Sequence, residues 1–417
     1  MREQLEGSQA VARAVGRCRP EVVCAYPITP QTHIVEALSR MVRSGELSRC
    51  EFVNVESEFA AMSVAIGASA AGARAYTATA SQGLLYMAEA LFNASGLGLP
   101  IVMTVGNRAI GAPINIWNDQ SDAMSMRDCG WIQLYAADNQ EAVDVHIQAF
   151  RIAEELSLPV MVCMDGFVLT HAFEPLEVPS QEQVDGFLPG FAPRQALDPD
   201  EPMTIGAMVG PEAFTEVRYL AHAKQLQALD TIPDVAADFR SRFGRASGGL
   251  LERYHSDDAK TVVLTLGSVF GTLVEVVDEL RAQGESLGAL ALKCFRPLPA
   301  DELRTALDGA ERVVVLERAF AVGAGGIVSA DLHATLTPQP AEVRTVIAGL
   351  GGRAVTRKSL RTLAQRACAG KLEALEFLDL KQDVVKRELA RAQDGGPRGP
   401  HAESILRELG VVAAGPV

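Results

Sequence analysis

The sequence predicts an α/β protein of doubly wound parallel sheets, and three observations carry the prediction. Apolar runs of strand length alternate with segments of helical spacing over residues 21–164. The pattern breaks from about 172 to 257, and it resumes at Thr261 as a second strand–helix series. Repeated strand–helix–strand units build parallel sheets with helices on both faces, and such sheets keep their ligands at the carboxyl ends of the strands. A chain of 417 residues exceeds what one core usually holds. The expected divisions are an α/β domain over 1–172, a crossover arm with a helical segment over 173–257, a second α/β domain over 258–355, and a helical tail with a linker over 356–417.

In chain order, 21–25 reads as a strand entering a proline-bounded loop, and 52–55 as another strand. Ser57 is placed to cap a helix through Ala71, with Gly72 to end it. Residues 75–79 form the next strand, after which Leu84, Met87, Ala88 and Leu91 share one helical face. Runs 101–105 and 159–164 read as buried parallel strands, with a helix over 139–156 between them. Pro and Gly are frequent over 175–211, and helical stretches follow at 213–229 and 235–243. The second unit has expected strands at 261–266, 288–293, 312–316 and near 344–347, with helices at 272–283 and 300–307. Ser268, Gly271 and Thr272 open the first of those helices. Gly323, Gly325 and Gly326 do not complete a dinucleotide fingerprint and read as a turn into the next helix. At the end, 375–392 is helical and amphipathic, 394–400 reads as a linker and 403–409 as a short helix. This tail is either an arm across a partner or disordered.

Composition narrows the function classes. Hydrophobic residues make up 48% and mean hydropathy is +0.11, yet no apolar run approaches the ~18 residues of a membrane span. Residues 1–6 are acidic and lack an apolar signal core, so a cytoplasmic protein is expected. A net charge of −14 argues against a nucleic-acid partner, because phosphate recognition needs a basic face. Cysteines 18, 24, 50, 129, 163, 294 and 368 are dispersed, with no C-x-x-C pair. Reduced, mostly buried thiols are expected, and neither zinc nor an iron–sulfur cluster is assigned to this chain. The seven histidines show no metal-like spacing, and His171 reads as structural.

Three pieces carry the chemistry. Tyr26-Pro27-Ile28-Thr29-Pro30 holds a hydroxyl in a stiff loop, where Thr29 either serves a ligand or bonds its own backbone. Val55-Glu56-Ser57-Glu58-Phe59-Ala60-Ala61 sets a carboxylate at the head of a segment of small residues that something must approach closely. By itself Glu58 is equally an acid favoured by the helix dipole, and Glu56 reads as structural. Arg108, after the strand at 101–105, offers two parallel hydrogen bonds to a carboxylate, or else an ion pair with Asp119 or Asp122. Asn115, Trp117, Asn118 and Asp119 are expected to wall the site.

These pieces, with Ser81-Gln82-Gly83, Met164-Asp165-Gly166-Phe167 and Gly349-Leu350-Gly351-Gly352-Arg353, resemble the alpha subunit of the pyruvate:ferredoxin oxidoreductase (2-oxoacid:acceptor oxidoreductase) family over roughly residues 5–355. The resemblance implies a pyrimidine-binding-like domain of the thiamine-enzyme type, then a transketolase-C-terminal-like domain. It implies that Glu58 bonds the aminopyrimidine of thiamine diphosphate, that Pro27 and Ile28 lie against that cofactor, and that Arg108 and Thr29 orient a 2-oxo acid. The implied reaction is oxidative decarboxylation of pyruvate, or of an aryl acid such as phenylglyoxylate, with coenzyme A, electrons passing to ferredoxin or to NAD. No Gly-Asp-Gly occurs in the sequence. The resemblance then assigns magnesium, diphosphate and iron–sulfur clusters to partners: a thiamine-binding beta subunit, a gamma subunit, a ferredoxin-like subunit and, for NAD, a flavoprotein subunit, with a dimer of heteromers as the implied assembly. The competing expectations are a non-catalytic assembly subunit and half of an iron–sulfur-free thiamine enzyme.

Overall fold

A computed structural model describes residues 2–338, 341–393 and 400–411. The strands in chain order are β1 (Glu3–Glu6), β2 (Val22–Ala25), β3 (Glu51–Asn54), β4 (Ala75–Thr79), β5 (Val102–Asn107), β6 (Ile132–Tyr135), β7 (Val160–Asp165), β8 (Phe173–Leu176), β9 (Leu251–Tyr254), β10 (Thr261–Thr265), β11 (Leu287–Leu292), β12 (Cys294–Arg296), β13 (Arg312–Glu317), β14 (Glu342–Ile347) and β15 (Leu375–Phe377). The first sheet runs β12–β6–β7–β5–β4–β2–β3 and the second β15–β14–β13–β10–β11–β9. Every pairing within them is parallel except β12 with β6 and β9 with β11. β1 and β8 form a separate antiparallel pair.

The central strands explain the layering. β4, β5 and β7 are buried at every residue, as parallel strands covered on both faces must be. On one face lies the helix Asn139–Leu156, capped by Asp138 through the Glu141 N–H at 2.7 Å. It is buried almost all round, between β7 and the helices Gly7–Arg17 and Phe214–Phe243. The helix Glu58–Ala70 packs on β2 and β4, with Ser57 accepting the Ala60 N–H at 3.2 Å and Gly72 taking a left-handed φ of +91° past its end.

Four expectations are corrected. The stretches at 213–229 and 235–243 are one helix, Phe214–Phe243, with Pro233 inside. Its buried stripe of Ala228, Ile232, Val235 and Phe239 runs unbroken past the proline, and that packing outweighs one missing backbone bond. Residues 375–377 are strand rather than helix, because β15 pairs with β14 and Phe377 packs edge-on against Phe320 at 5.4 Å; the helix starts at Gln382. The second sheet also extends past both expected ends of 258–355. It takes β9 from the supposed arm, and β15 from the supposed tail, where the helix Arg357–Cys368 buries Leu360, Leu363, Ala364 and Ala367. β6 and the short helix Ser121–Ser125 were not foreseen. Of the linker at 394–400, only Pro400 lies within the described residues.

The two sheets share a core. Leu91, Met103 and Trp131 of the first pack in one cluster with Val262, Leu290 and Val313 of the second. After β11 the chain leaves the second sheet, passes Lys293 and adds β12 to the first. Lys293 is buried there between Glu141 and Glu252, each at 2.7 Å. A second buried pair, Asp165 with Arg318 at 2.7 Å, joins the carboxyl ends of β7 and β13. Among the described residues no helix is long and apolar enough to cross a membrane.

Removing one member of a buried ion pair leaves the other charge stranded, at about 3–5 kcal/mol. Asp165→Ala is therefore expected to lower the denaturant midpoint by a margin of that size. An unchanged midpoint would show that Arg318 finds other compensation.

Candidate active site

The first sheet is wound in two directions from β2: β3 lies on one side, and the chain then crosses back to β4 on the other. The crevice at such a switch point, outside the strand carboxyl ends, is where doubly wound sheets bind ligands. Every functional segment leaves this edge. The 26–30 loop follows β2, Glu58 follows β3, Ser81 and Gly83 follow β4, Arg108 follows β5, and Gly166 follows β7.

Glu58 is 8% exposed at the first position of its helix, whereas Glu56 is exposed. Its carboxyl has no hydrogen-bond or ion-pair partner among the described residues. Gly83 makes room for it: a Cβ there would stand 2.6 Å from Glu58 Oε1 and 2.6 Å from Thr79 Oγ1. Ser81 turns the chain into that position with a left-handed φ of +50°. On the outer face of the helix, a Cβ added to Gly67 would meet nothing within 4 Å, so this face stays open.

Arg108 is 6% exposed, and burial pulls its pKa below the ordinary value, with Asp122 acting in the opposite direction. The expected alternative, an ion pair with Asp119 or Asp122, is not formed. The guanidinium donates instead to two carbonyls, Nη1 to Thr29 O and Nε to Asn115 O, both at 3.0 Å. No carboxylate of the described residues lies within salt-bridge distance of it. Neutral carbonyls orient a buried cation without cancelling its charge, so its strongest partner is still to come. Thr29 is exposed, and its hydroxyl bonds no protein group among the described residues. Pro27 is exposed and Ile28 half-buried beside it.

Asp122 ties these segments together. Its carboxylate accepts the backbone N–H groups of Ser81 (2.9 Å), Arg108 (3.0 Å) and Ala123 (2.8 Å), and Nδ2 of Asn107 at 2.9 Å. Burial pushes its pKa up to about 6, against the pull of those four donors. One buried carboxylate thus fixes both the Ser81 corner that leads to Glu58 and the backbone of Arg108. The sequence reading weighed Asp122 only as an ion-pair partner; a carboxylate's service to backbone donors has no sequence signal.

The second domain holds the Arg108 loop from outside. Gly351 N–H donates to Asp119 Oδ2 at 3.0 Å, Gly352 N–H to Asn118 O at 2.7 Å, and Asn115 Nδ2 to Gly351 O at 3.2 Å. Gly352 lets Trp117 approach, since a Cβ there would fall 2.3 Å from that side chain's own Cβ. Gly166 does the same for the 26–30 loop, where a Cβ would reach 2.6 Å from Pro30 Cγ. The segment 164–167 also supplies Asp165 to the domain contact. The glycines at 323–326 do make a turn, and the helix N-terminus beyond it is filled by Glu317, which accepts the N–H groups of Ile327, Val328 and Ser329 at 2.7–3.0 Å.

The structure thus sets Glu58, Arg108 and Thr29 on one edge, with Thr29 and Arg108 in direct contact and Glu58 connected through Gly83, Ser81 and Asp122. Two family models match the chain: pyruvate flavodoxin/ferredoxin oxidoreductase, thiamine-diphosphate-binding, over 13–237, and pyruvate:ferredoxin oxidoreductase core domain II over 259–360. The class is therefore a thiamine-enzyme-type α/β subunit. A 2-oxoglutarate:ferredoxin oxidoreductase from Magnetococcus marinus shares the fold at a TM-score of 0.69 and 21% identity, over 88% of this chain and 65% of that chain, just under two thirds of its length. A split-gene transketolase aligns at a TM-score of 0.53 and 14% identity, over 88% of this chain and 100% of that one. Pyruvate synthase subunit PorA of Methanosarcina barkeri is 46% identical over 91% of this chain and 97% of its own length. Ketoisovalerate oxidoreductase subunit VorA of Pyrococcus abyssi is 40% identical over 88% and 93%. The chain belongs to the 2-oxoacid:ferredoxin oxidoreductase family, as an alpha subunit.

Gly83→Ala is expected to cost about 1–3 kcal/mol through overpacking against Glu58. Gly67→Ala, with open space around it, is expected to leave the unfolding midpoint unchanged or raise it. Equal midpoints for the two variants would contradict the close approach at Gly83.

Proposed function

We propose that this subunit serves the oxidative decarboxylation of pyruvate with coenzyme A, electrons passing to ferredoxin. The observation that carries the reading is a pair of unmet charges at one switch point. A buried carboxyl without a partner stands at the head of a small-residue helix, and a buried guanidinium is held only by carbonyls. The first suits the aminopyrimidine of thiamine diphosphate and the second a substrate carboxylate. Pyruvate is favoured because the 42–46% identical relatives are named pyruvate synthase subunits; the 38–40% identical VorA subunits make a branched 2-oxo acid the competing substrate.

When bound, thiamine diphosphate supplies the electron sink into which a 2-oxo acid loses CO₂. Glu58 would hold a proton at N1′ of the pyrimidine, with Pro27 and Ile28 against the ring. Arg108 would grip the carboxylate by two parallel hydrogen bonds, and Thr29 Oγ1 would donate to the neighbouring carbonyl oxygen. Asp122 touches neither ligand; it holds Arg108 and the Ser81 corner in register. Magnesium, diphosphate and clusters would come from the other subunits. Phe59, Tyr86 and Phe92 on this side of the molecule are 38–61% exposed, as a surface covered by a partner would be.

Glu58→Gln, purified in its complex, is expected to lose about 10²–10⁴-fold in kcat with the circular dichroism of the wild type. Near-full turnover would sink the assignment. Arg108→Met should cost about 2–5 kcal/mol in kcat/KM for pyruvate, read against ketoisovalerate in parallel.

The raised pKa of Asp122 sets a pH dependence. Below about 6 the carboxyl takes a proton and loses acceptor capacity toward the Arg108 and Ser81 N–H groups, so kcat/KM falls as pH drops through about 6. Asp122→Asn should sit near the low-pH value throughout and lose that inflection.

A further inference from the structure

Glu6, His33 and His171 come from three segments that the proposed reaction does not use. Glu6 ends β1 at the head of the helix Gly7–Arg17, His33 lies in the first turn of Thr32–Arg43, and His171 follows the turn after β7. One ligand-capable atom of each lies within 4.8 Å of the other two. Glu6 Oε1 is 2.7 Å from His33 Nδ1, and the two imidazole rings are 4.8 Å apart between centroids. Glu6 occupies the N-cap position, yet its side chain does not cap the helix; it is turned toward the histidines, 11% exposed.

The surroundings are those of a prepared ligand set. His171 Nδ1 is 2.7 Å from Thr170 Oγ1, which also accepts the Phe167 N–H at 2.8 Å, so one nitrogen of the ring is anchored. Its other nitrogen has no hydrogen-bond partner among the described residues. Phe167 covers the ring at 4.7 Å between centroids. An imidazole bound to a metal characteristically has its second nitrogen held in this way. A hydrogen bond from His33 to Glu6 leaves His171 outside it, whereas one cation would serve both rings and the carboxylate together. Two imidazoles and a carboxylate are the donor set of a zinc-type centre with one open position. A tetrahedral ion needs ligand atoms roughly 3.3 Å apart, so the 2.7 Å contact between Glu6 and His33 opens as the wider spacings close, a movement available to the 43% exposed His33 side chain.

We propose that Glu6, His33 and His171 bind one zinc-class divalent ion, which fastens the β1 end of the chain to the helix that follows the 26–30 loop. The ion would brace Thr29 from behind without touching the reacting atoms, and the proposal stands independently of which 2-oxo acid is used. This is a site that the spacing of the histidines along the chain did not suggest.

The test is titration of the chelator-treated full-length chain with Co²⁺, followed by displacement with Zn²⁺. One Co²⁺ per chain is expected, with the visible absorption of a nitrogen- and oxygen-ligated tetrahedral ion, no thiolate charge-transfer band, displacement by Zn²⁺ and none by Mg²⁺. Glu6→Gln and His171→Ala should each weaken binding by about tenfold or more, and Zn²⁺ should raise the thermal midpoint of the wild type but not of His33→Asn. A thiolate band, an affinity unmoved by all three variants, or no binding at millimolar Co²⁺ would overturn the site. Should a variant fail to fold, zinc-edge anomalous density in wild-type crystals decides: a peak among the three side chains supports the proposal, and its absence refutes it.

Discussion

The contact between Asp165 and Arg318 sets the register between the two domains at the edge that carries the Arg108–Asp122 loop. Asp165 ends β7 in the first sheet, and Arg318 follows β13 in the second. Around this pair the two domains exchange hydrogen bonds in both directions. Ser268 N–H reaches Asp165 at 2.9 Å, Gln120 N–H reaches Arg318 O at 2.8 Å, and the Arg318 guanidinium also bonds Asn118. A buried ion pair contributes little net stability, but its geometry is demanding, because misplacing either charge strands the other in a dry interface. Here that demand sets the register between the sheets, and with it the loop from Arg108 to Asp122. Arg108, whose own hydrogen bonds among the described residues stay within the first domain, thus owes part of its position to the second.

Polar accounting at the switch point separates scaffold from site. Asp122 spends its carboxylate on four donors, Glu317 its own on three helix N–H groups, and Lys293 is matched by Glu141 and Glu252. These groups are satisfied within the chain, and their chemistry is architectural. Glu58 and Arg108 are buried to the same degree and are not satisfied by opposite charge. Three more buried atoms on this edge, Gln31 Oε1, Thr79 Oγ1 and Asn107 Oδ1, have no partner among the described residues. Native interiors leave few such groups, and these three lie on segments that build the crevice.

Most of the central strands of the first domain, and the helices Glu58–Ala70 and Asn139–Leu156, were legible because their causes are local. A mostly apolar run of strand length, such as the start of β5, reads as a buried strand, and the Ser57 cap with its small-residue helix is written within 15 residues. Glu58, Thr29 and Arg108 were legible as candidates because three ordered motifs resembled a known family. The elements misjudged were those decided at long range. Pro233 stays helical because a buried stripe continues past it, and β15 is a strand because β14 lies beside it. Histidines 138 residues apart in sequence, His33 and His171, meet ring to ring only because β2 and β7 end on the same edge.

By itself, then, the sequence determined the α/β class, the order of most elements, the family, and which residue types face the chemistry, since each rests on local periodicity or on short motifs. Only the tertiary structure decided what those residues are free to do. It turned the suspected partner of Arg108 into a clamp on its backbone, left the Glu58 carboxyl without a partner among the described residues, and made the Gly349–Arg353 block a brace for a loop more than 230 residues earlier. Hydrogen-bond saturation and close packing depend on what stands opposite in space, and a linear chain does not specify that until both sheets have closed on each other.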